Sequence, residues 1–238
     1  MKILFIVPTS LNPKQMYLEY PMGVGYICTY LRKIGFETKI VDQHAEHASD
    51  EDIVKFVEDF SPDIIAFSVM TPCYPRALIQ LKMLKYCFPQ IPVIAGGIHV
   101  SIFKDSLFCD GFDVLCIGEG EVELQKFCLV YLIYNKLLKN DSLRINPETK
   151  FNILDGFPLE LEKYLYTEEL LLDRDVYNLK LYTHHSVLAA RGCPFRCKFC
   201  CNYSKIFGVK YGRTVLSVIK EIEILEKKYK AKQVFFCR

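Results

Sequence analysis

Short apolar runs alternate with amphipathic stretches over residues 1–139. Strands are predicted at Lys2–Val7, Glu37–Val41, Asp63–Val69, Pro92–Ala95 and Val114–Ile117. Helices are predicted at Gly23–Ile34, Asp50–Phe60 (capped by Ser49 or Asp50), Pro75–Cys87, Val100–Phe108 and Glu119–Leu138. Apolar strands separated by helices are typical of a parallel sheet covered on both faces. The pattern therefore predicts an α/β fold with a doubly wound parallel sheet.

Small and polar residues collect where the predicted strands end. In a doubly wound sheet of the Rossmann type, ligands bind at the carboxyl ends of the strands. Glycines at these ends let the backbone approach a ligand closely, although a tight strand-to-helix turn explains them as well. The candidate ligand-binding residues are Ser68, Thr71, Gly96, Gly97, His99, Gly118, Glu119 and Gly120.

The pattern changes after residue 139. Residues 140–180 carry turn signals and are predicted to be a connector on the surface. A second unit, residues 181–238, has a strand at His185–Ala190, a cysteine-containing loop, a helix from about Thr214 to Tyr229 and a strand at Gln233–Phe236. We expect this unit to be the first strand-loop-helix-strand of a partial (β/α) barrel.

Composition and charge limit the binding partners and the cellular compartments that can be expected for this chain. The net charge is +2 without a long basic run, so no nucleic-acid surface is predicted. The apolar part of Met1–Pro8 is too short for a signal peptide, and the longest apolar patch, Phe127–Tyr134, is far below the roughly 20 residues that span a bilayer. We expect a cytosolic protein in which the eleven cysteines are thiols or metal ligands.

Cys193, Cys197 and Cys200 form a C-x3-C-x2-C spacing directly after an apolar strand. Three thiolates on one loop can hold three irons of a 4Fe-4S cluster and leave the fourth iron open for a small molecule. Structural zinc is the alternative, but it prefers four closed ligands, and His184 and His185 lie at the far end of the strand.

The other cysteines are assigned no ligand role. Cys201 adjoins Cys200, so its side chain diverges from that of its neighbour. Four cysteines fall on apolar faces and are predicted to be buried: Cys28, Cys87, Cys116 and Cys128.

The run Arg191–Cys200, with Phe199 before the third cysteine, resembles the signature of the radical S-adenosylmethionine superfamily. The front domain resembles the cobalamin-binding domain that precedes the radical core in one subgroup. That likeness rests on Pro21–Tyr26, Tyr30–Phe36, Pro62–Ser68, Gly96–His99 and Gly118–Glu121, and Asn152–Pro158 resembles the link between the domains. The resemblance covers most of the chain and implies a protein truncated within its radical core.

The resemblance implies three cofactors. Cys193, Cys197 and Cys200 would ligate a 4Fe-4S cluster, and the methionine moiety of S-adenosylmethionine would chelate the open iron. Reductive cleavage would then give a 5′-deoxyadenosyl radical, with Phe199 shielding the cluster or bordering the adenine. Cobalamin would lie at the strand ends of the front domain. The loop Asp42–His47 is predicted to be solvated, so it would supply no His ligand to cobalt.

The sequence thus predicts a radical S-adenosylmethionine enzyme, or its amino-terminal portion. Its reaction on a small-molecule or natural-product substrate would be cobalamin-assisted methyl transfer or a rearrangement. An electron donor such as flavodoxin or ferredoxin would be its redox partner. Two alternatives remain: a non-catalytic corrinoid- or nucleotide-binding module with a vestigial radical core, and a zinc-stabilised interaction domain.

Overall fold

In the computed structural model, the amino-terminal part of the described chain contains a six-stranded, all-parallel sheet in the order β2-β1-β3-β4-β5-β6. The structure describes residues 1–15, 20–137, 153–156, 172–177, 184–192, 195, 197–199 and 211–237. The strands are β1 (Lys2–Val7), β2 (Glu37–Asp42), β3 (Ile64–Ser68), β4 (Val93–Gly96), β5 (Val114–Gly118) and β6 (Ile153–Gly156). The predicted doubly wound fold is confirmed.

Helices cover both faces of this sheet. They are α1 (Met22–Lys33), α2 (Asp50–Phe60), α3 (Tyr74–Cys87), α4 (Ile98–Phe103) and α5 (Glu121–Leu137). The sheet has a hydrophobic core on each face. Alternate residues of the central strands pack into one core or the other, because successive side chains in a strand point to opposite faces. Ile3 and Phe5 pack with residues of α1 and α5, whereas Leu4 and Ile6 pack with residues of α2 and α3.

The second unit follows the predicted order. It consists of β7 (His185–Leu188), β8 (Ala190–Arg191), β9 (Tyr211–Gly212), α6 (Val215–Lys227) and β10 (Val234–Cys237). β7 pairs in parallel with β10, and β8 pairs antiparallel with β9. The parallel pair joined through α6 is the strand-helix-strand unit expected from the sequence.

The two described segments within residues 140–180 depart from the expectation of a surface connector. β6 extends the sheet beyond β5, with Leu115 opposite Ile153. Residues Leu172–Tyr177 pack into the core against α1, and Leu172, Arg174 and Val176 are buried. The segment 172–177 is therefore part of the core, although the sequence predicted a surface connector.

Smaller corrections concern loops and single cysteines. The helix predicted at Val100–Phe108 is α4 followed by a 3-10 segment, Lys104–Asp110, because Lys104 adopts a positive φ of 48°. Cys87 is exposed at the end of α3, although Cys28, Cys116 and Cys128 are buried as predicted. In the loop predicted to be solvated, Asp42 and Gln43 are buried.

A buried charge network ties residues 172–177 to the second unit. Glu221 of α6 accepts hydrogen bonds from Arg174, at 2.7 Å, and from Arg213. The arginines also donate to the backbone carbonyls of Ser186, at 2.7 Å, and Leu188, at 3.0 Å. The Glu221 carboxylate therefore partly neutralises both buried guanidinium groups, and it links α6 to Arg174 and to Arg213.

Gly25 in α1 makes room for the buried segment 172–177. A Cβ at position 25 would overlap the hydroxyl of Tyr177 and lie 3.0 Å from Leu172 Cδ1, whereas a Cβ at Gly23 would meet nothing within 4 Å. We expect Gly25→Ala to lower the free energy of unfolding by about 1–3 kcal/mol through overpacking. Gly23→Ala is the control and should change stability by about 1 kcal/mol or less, in the stabilising direction. Urea denaturation of both variants checks this, and equal midpoints would contradict the packing of Tyr177 on α1.

None of the helices in the described ranges is long and apolar enough to cross a membrane.

Candidate functional site

A cleft of about 280 Å³ opens at the carboxyl ends of β1, β3, β4 and β5. The strand order places β1 between β2 and β3, so the chain reverses its direction of winding at this point, where doubly wound sheets bind ligands. Helices α1 and α5 form the side walls, and Leu188, Arg191 and Gly192 of the second unit close one end. The strand residues in the lining are Phe5, Ala66, Phe67, Ser68, Ile94, Gly96, Cys116 and Gly118.

Most of the predicted ligand-binding residues lie in this cleft. Its lining includes Ser68, Gly96, Gly97, Gly118, Glu119 and Gly120. Gly97 has a φ of 97° and Gly118 a φ of 77°, conformations that favour glycine. These two glycines therefore allow the tight turns that follow β4 and β5. The same turns bring backbone atoms to the rim of the cleft.

Thr71 and His99 contact each other and are not among the lining residues. His99 Nδ1 lies 3.2 Å from Thr71 Oγ1. The centre of the imidazole ring lies 4.0 Å from the centre of the Tyr74 ring and 4.4 Å from that of the Phe103 ring. Burial lowers the pKa of His99. Its Nε2 has no hydrogen-bond partner among the described residues. The position after two glycines thus holds an imidazole that packs between two aromatic rings outside the cleft.

The cysteine loop is described only in part. Cys197 is exposed, and Phe199 is 94% exposed. Cys193 and Cys200 lie outside the described residues. The assignment of the three thiols as cluster ligands therefore stays a prediction, as does the role of Phe199.

Arg191 was missed as a site residue, and it connects the cysteine loop to the cleft. Its guanidinium forms ion pairs with Glu119 and with Glu121, the latter at 2.8 Å. The guanidinium carbon also lies 4.9 Å from the centre of the Tyr26 ring, within the range of a cation–π contact. The sequence signal was an Arg two positions before Cys193 and two glutamates flanking Gly120, because such charges need partners when buried.

Burial determines the electrostatics of the cleft wall. It raises the pKa of Glu119, while the positive charge of Arg191 opposes that rise. It also raises the pKa of the Cys116 thiol to about 12, so this side chain is a neutral thiol at physiological pH. Glu121 is 2% exposed, and its Oε2 has no hydrogen-bond partner in the part of the chain described. Glu121 therefore contributes to the wall a buried acceptor without a donor among the described residues.

Comparison with known proteins places the front domain in a family. Residues 15–127 match the B12 binding domain family. This range runs from the loop after β1 into α5 and contains the strand-end residues of β3, β4 and β5.

Relatives cover nearly the whole chain. An uncharacterized methyltransferase of Pyrococcus horikoshii is 27% identical over 99% of this chain and 53% of its own length. The hopanoid C-3 methylase of Methylococcus capsulatus is 26% identical over 95% of this chain and 44% of its own length. The chain thus spans about half the length of these relatives.

Solved structures share the fold. The radical S-adenosylmethionine methyltransferase TsrM from Kitasatospora setae, determined with cobalamin and a [4Fe-4S] cluster bound, superposes with a TM-score of 0.74 at 18% identity. The match covers 99% of this chain and 48% of that one. Residues 15–127 thus match the B12 binding domain family, and over nearly its whole length the chain shares the fold of this solved structure.

Proposed function

We propose that this chain binds cobalamin in the cleft at the switch point and forms the amino-terminal portion of a radical S-adenosylmethionine methyltransferase. One observation carries the proposal. Arg191 and Gly192, the two residues that precede Cys193, form part of the cleft wall. The predicted cluster loop therefore starts at the edge of the predicted cobalamin site, as chemistry that uses both cofactors requires.

The residues of the cleft fit a corrinoid. A corrinoid is a broad, largely apolar ring system with carboxamide side chains. Phe5, Ala66 and Ile94 supply an apolar floor, and Gly23 leaves open space at the start of α1. The buried, unused Oε2 of Glu121 is an acceptor that suits an amide N–H donor. The site thus combines apolar contact with a few directed polar groups, as cofactor sites usually do.

The side chains of the chain have separable roles in this proposal. Cys193, Cys197 and Cys200 would hold the 4Fe-4S cluster as thiolates. When bound, the cluster with S-adenosylmethionine would supply radical initiation, and cobalamin would supply methyl transfer. Gly96 and Gly97 would let the backbone approach the corrinoid, and Leu188 with the Tyr26 ring would exclude water from its edge. The proposed substrate is a small molecule, and the proposed reductant is a flavodoxin or ferredoxin.

Anaerobic reconstitution with iron and sulfide tests the cluster. We expect about four irons per chain and an EPR signal after reduction. Cys193→Ala, Cys197→Ala and Cys200→Ala combined in one protein should remove the signal. The matched control combines Cys87→Ala, Cys109→Ala and Cys237→Ala at positions that are not buried, and it should keep full iron content. Unchanged cluster content in the first variant would refute the assignment.

The non-catalytic alternative has its own support, because the family match covers the front domain alone. Titration with cobalamin and an assay for S-adenosylmethionine cleavage separate the two functions. Cobalamin binding with no cleavage by the reconstituted protein would favour a corrinoid-binding module. One zinc per chain with no iron would favour a zinc-stabilised interaction domain.

A further inference from the structure

We propose that Arg191 is a positioning residue that couples occupancy of the cleft to the cysteine loop through Glu121. The inference rests on the proposed function, because it takes the ligand in the cleft to be a corrinoid. It adds a residue and a physical linkage to that function. The linkage runs from a ligand amide to the Glu121 carboxylate, then to the Arg191 guanidinium, and then along the backbone through Gly192 to Cys193.

The first link is the carboxylate of Glu121. One of its oxygens forms an ion pair with Arg191 at 2.8 Å, and the other is buried without a partner among the described residues. A buried acceptor without a donor is unfavourable by about 1–3 kcal/mol. A ligand N–H that bonds to Oε2 removes this penalty and fixes the orientation of the carboxylate. The ligand therefore stabilises the geometry in which Arg191 is held.

The second link is the guanidinium of Arg191. It contacts the front domain at three places, namely the two glutamates and the Tyr26 ring. A planar guanidinium donates in fixed directions, so its position follows that of the carboxylates. Its side chain is 11% exposed, and water therefore screens these ion pairs little.

The third link is the backbone around β8. Arg191 pairs with Tyr211 in the β8–β9 ladder, and Arg213 N donates to the carbonyl of Ala189 at 2.9 Å. The side chain of Arg213 belongs to the buried network around Glu221. β8 is thus fixed to the second unit on one side and, through Arg191, to the cleft on the other. Only Gly192 separates Arg191 from the first predicted ligand.

Thiol labelling of the metal-free protein tests the coupling with cyanocobalamin as the probe. The readout is the rate at which iodoacetamide modifies exposed Cys197, measured by mass spectrometry with and without cyanocobalamin. Exposed Cys87 and Cys109 are internal references. Cyanocobalamin should slow labelling of Cys197 in the unsubstituted protein by about fivefold or more, a usual size for coupling between sites. The rates at the reference thiols should not change.

Two variants should remove the coupling without removing the thiols. In Arg191→Met and in Glu121→Gln, the labelling rate of Cys197 should be the same with and without cyanocobalamin at saturation. The dissociation constant, measured separately by absorbance, should rise about tenfold in both. Arg191→Lys should restore only part of the coupling, because an ammonium lacks the paired donors. Arg76→Met removes a comparable part-buried ion pair, with Asp50, outside the cleft and should keep the coupling.

The outcomes separate this inference from the proposed function. If the unsubstituted protein binds cyanocobalamin and Cys197 is labelled at the same rate, the coupling is refuted while the cofactor assignment stands. The coupling would also be refuted if cyanocobalamin still slowed the labelling of Cys197 in Arg191→Met or in Glu121→Gln. Two variants are used so that the test remains possible if one of them fails to fold. Absence of cyanocobalamin binding would overturn the proposed function and this inference together.

Discussion

Glu221→Gln should lower the free energy of unfolding by about 3–5 kcal/mol, the usual range when one member of a buried ion pair is lost. Glu221 is 1% exposed, and it is the carboxylate between Arg174 and Arg213, whose side chains are 0% and 3% exposed. The substitution keeps the size of the side chain and removes its charge. Two guanidinium groups then remain buried without the carboxylate that pairs with them. We expect residues 172–177 to detach from α6, since Arg174 anchors them.

Glu223→Gln is the matched control for this result. Glu223 lies on the same helix and pairs with Lys227 at 3.0 Å, but both side chains are more than half exposed. Such surface pairs contribute about 0–1 kcal/mol, so the control should unfold close to the unsubstituted protein. Urea denaturation followed by circular dichroism measures both variants. A Glu221→Gln midpoint equal to that of the control would show that the network is unimportant for stability.

Gly97→Ala should lower the free energy of unfolding by about 2–4 kcal/mol and weaken cobalamin binding. Gly97 has φ 97° and ψ −176°, a region of backbone conformation that is nearly exclusive to glycine. A Cβ there would also lie 2.8 Å from the backbone N and O of Val69. Neither atom can move freely, because Val69 N donates to Gly96 O at 2.8 Å and Val69 O accepts from His99 N at 3.1 Å.

Gly96→Ala is the neighbouring control. Its φ is not positive, and its Cβ would make an ordinary contact of 3.6 Å with Cys116. We expect a change in stability of about 1 kcal/mol or less, in line with substitutions away from strained backbone. Thermal unfolding and absorbance titration with cobalamin measure both effects. If both alanine variants behave alike, the turn after β4 does not need the conformation described.

Local signals predicted much of this fold correctly. Ser49 caps α2 as expected, since its hydroxyl accepts from Asp52 N at 3.1 Å and the Asp52 carboxylate accepts from Ser49 N at 3.0 Å. Capping involves neighbours in sequence, so it can be inferred from sequence. The strands and their parallel order follow from apolar runs separated by helices. The glycines of the cleft were found because they stand at strand ends.

Long-range pairings could not be inferred in the same way. β6 is four residues long and joins the sheet because β5 presents an open edge to it, which no local pattern reveals. The burial of Arg174 depends on Glu221, 47 positions away along the chain. Arg191 belongs to the cleft because the second unit packs there, and the sequence gives no distance between Arg191 and Glu121. The prediction therefore identified the edge of the sheet at which the cleft opens and missed Arg191, which closes one end of it.

The packing of Leu172–Tyr177 on α1 has a consequence for how the protein folds as it is synthesised. Leu172 and Tyr177 occupy the space beside Gly25, and β6 pairs with the outer edge of β5. These residues are synthesised well after residue 127, where the family match ends. A nascent chain that has emerged only to Leu137 therefore exposes apolar core surface and an unpaired strand edge, both of which favour aggregation. The packed core thus extends beyond the segment that matches the B12 binding domain family, and residues as far along the chain as Tyr177 are needed to complete it.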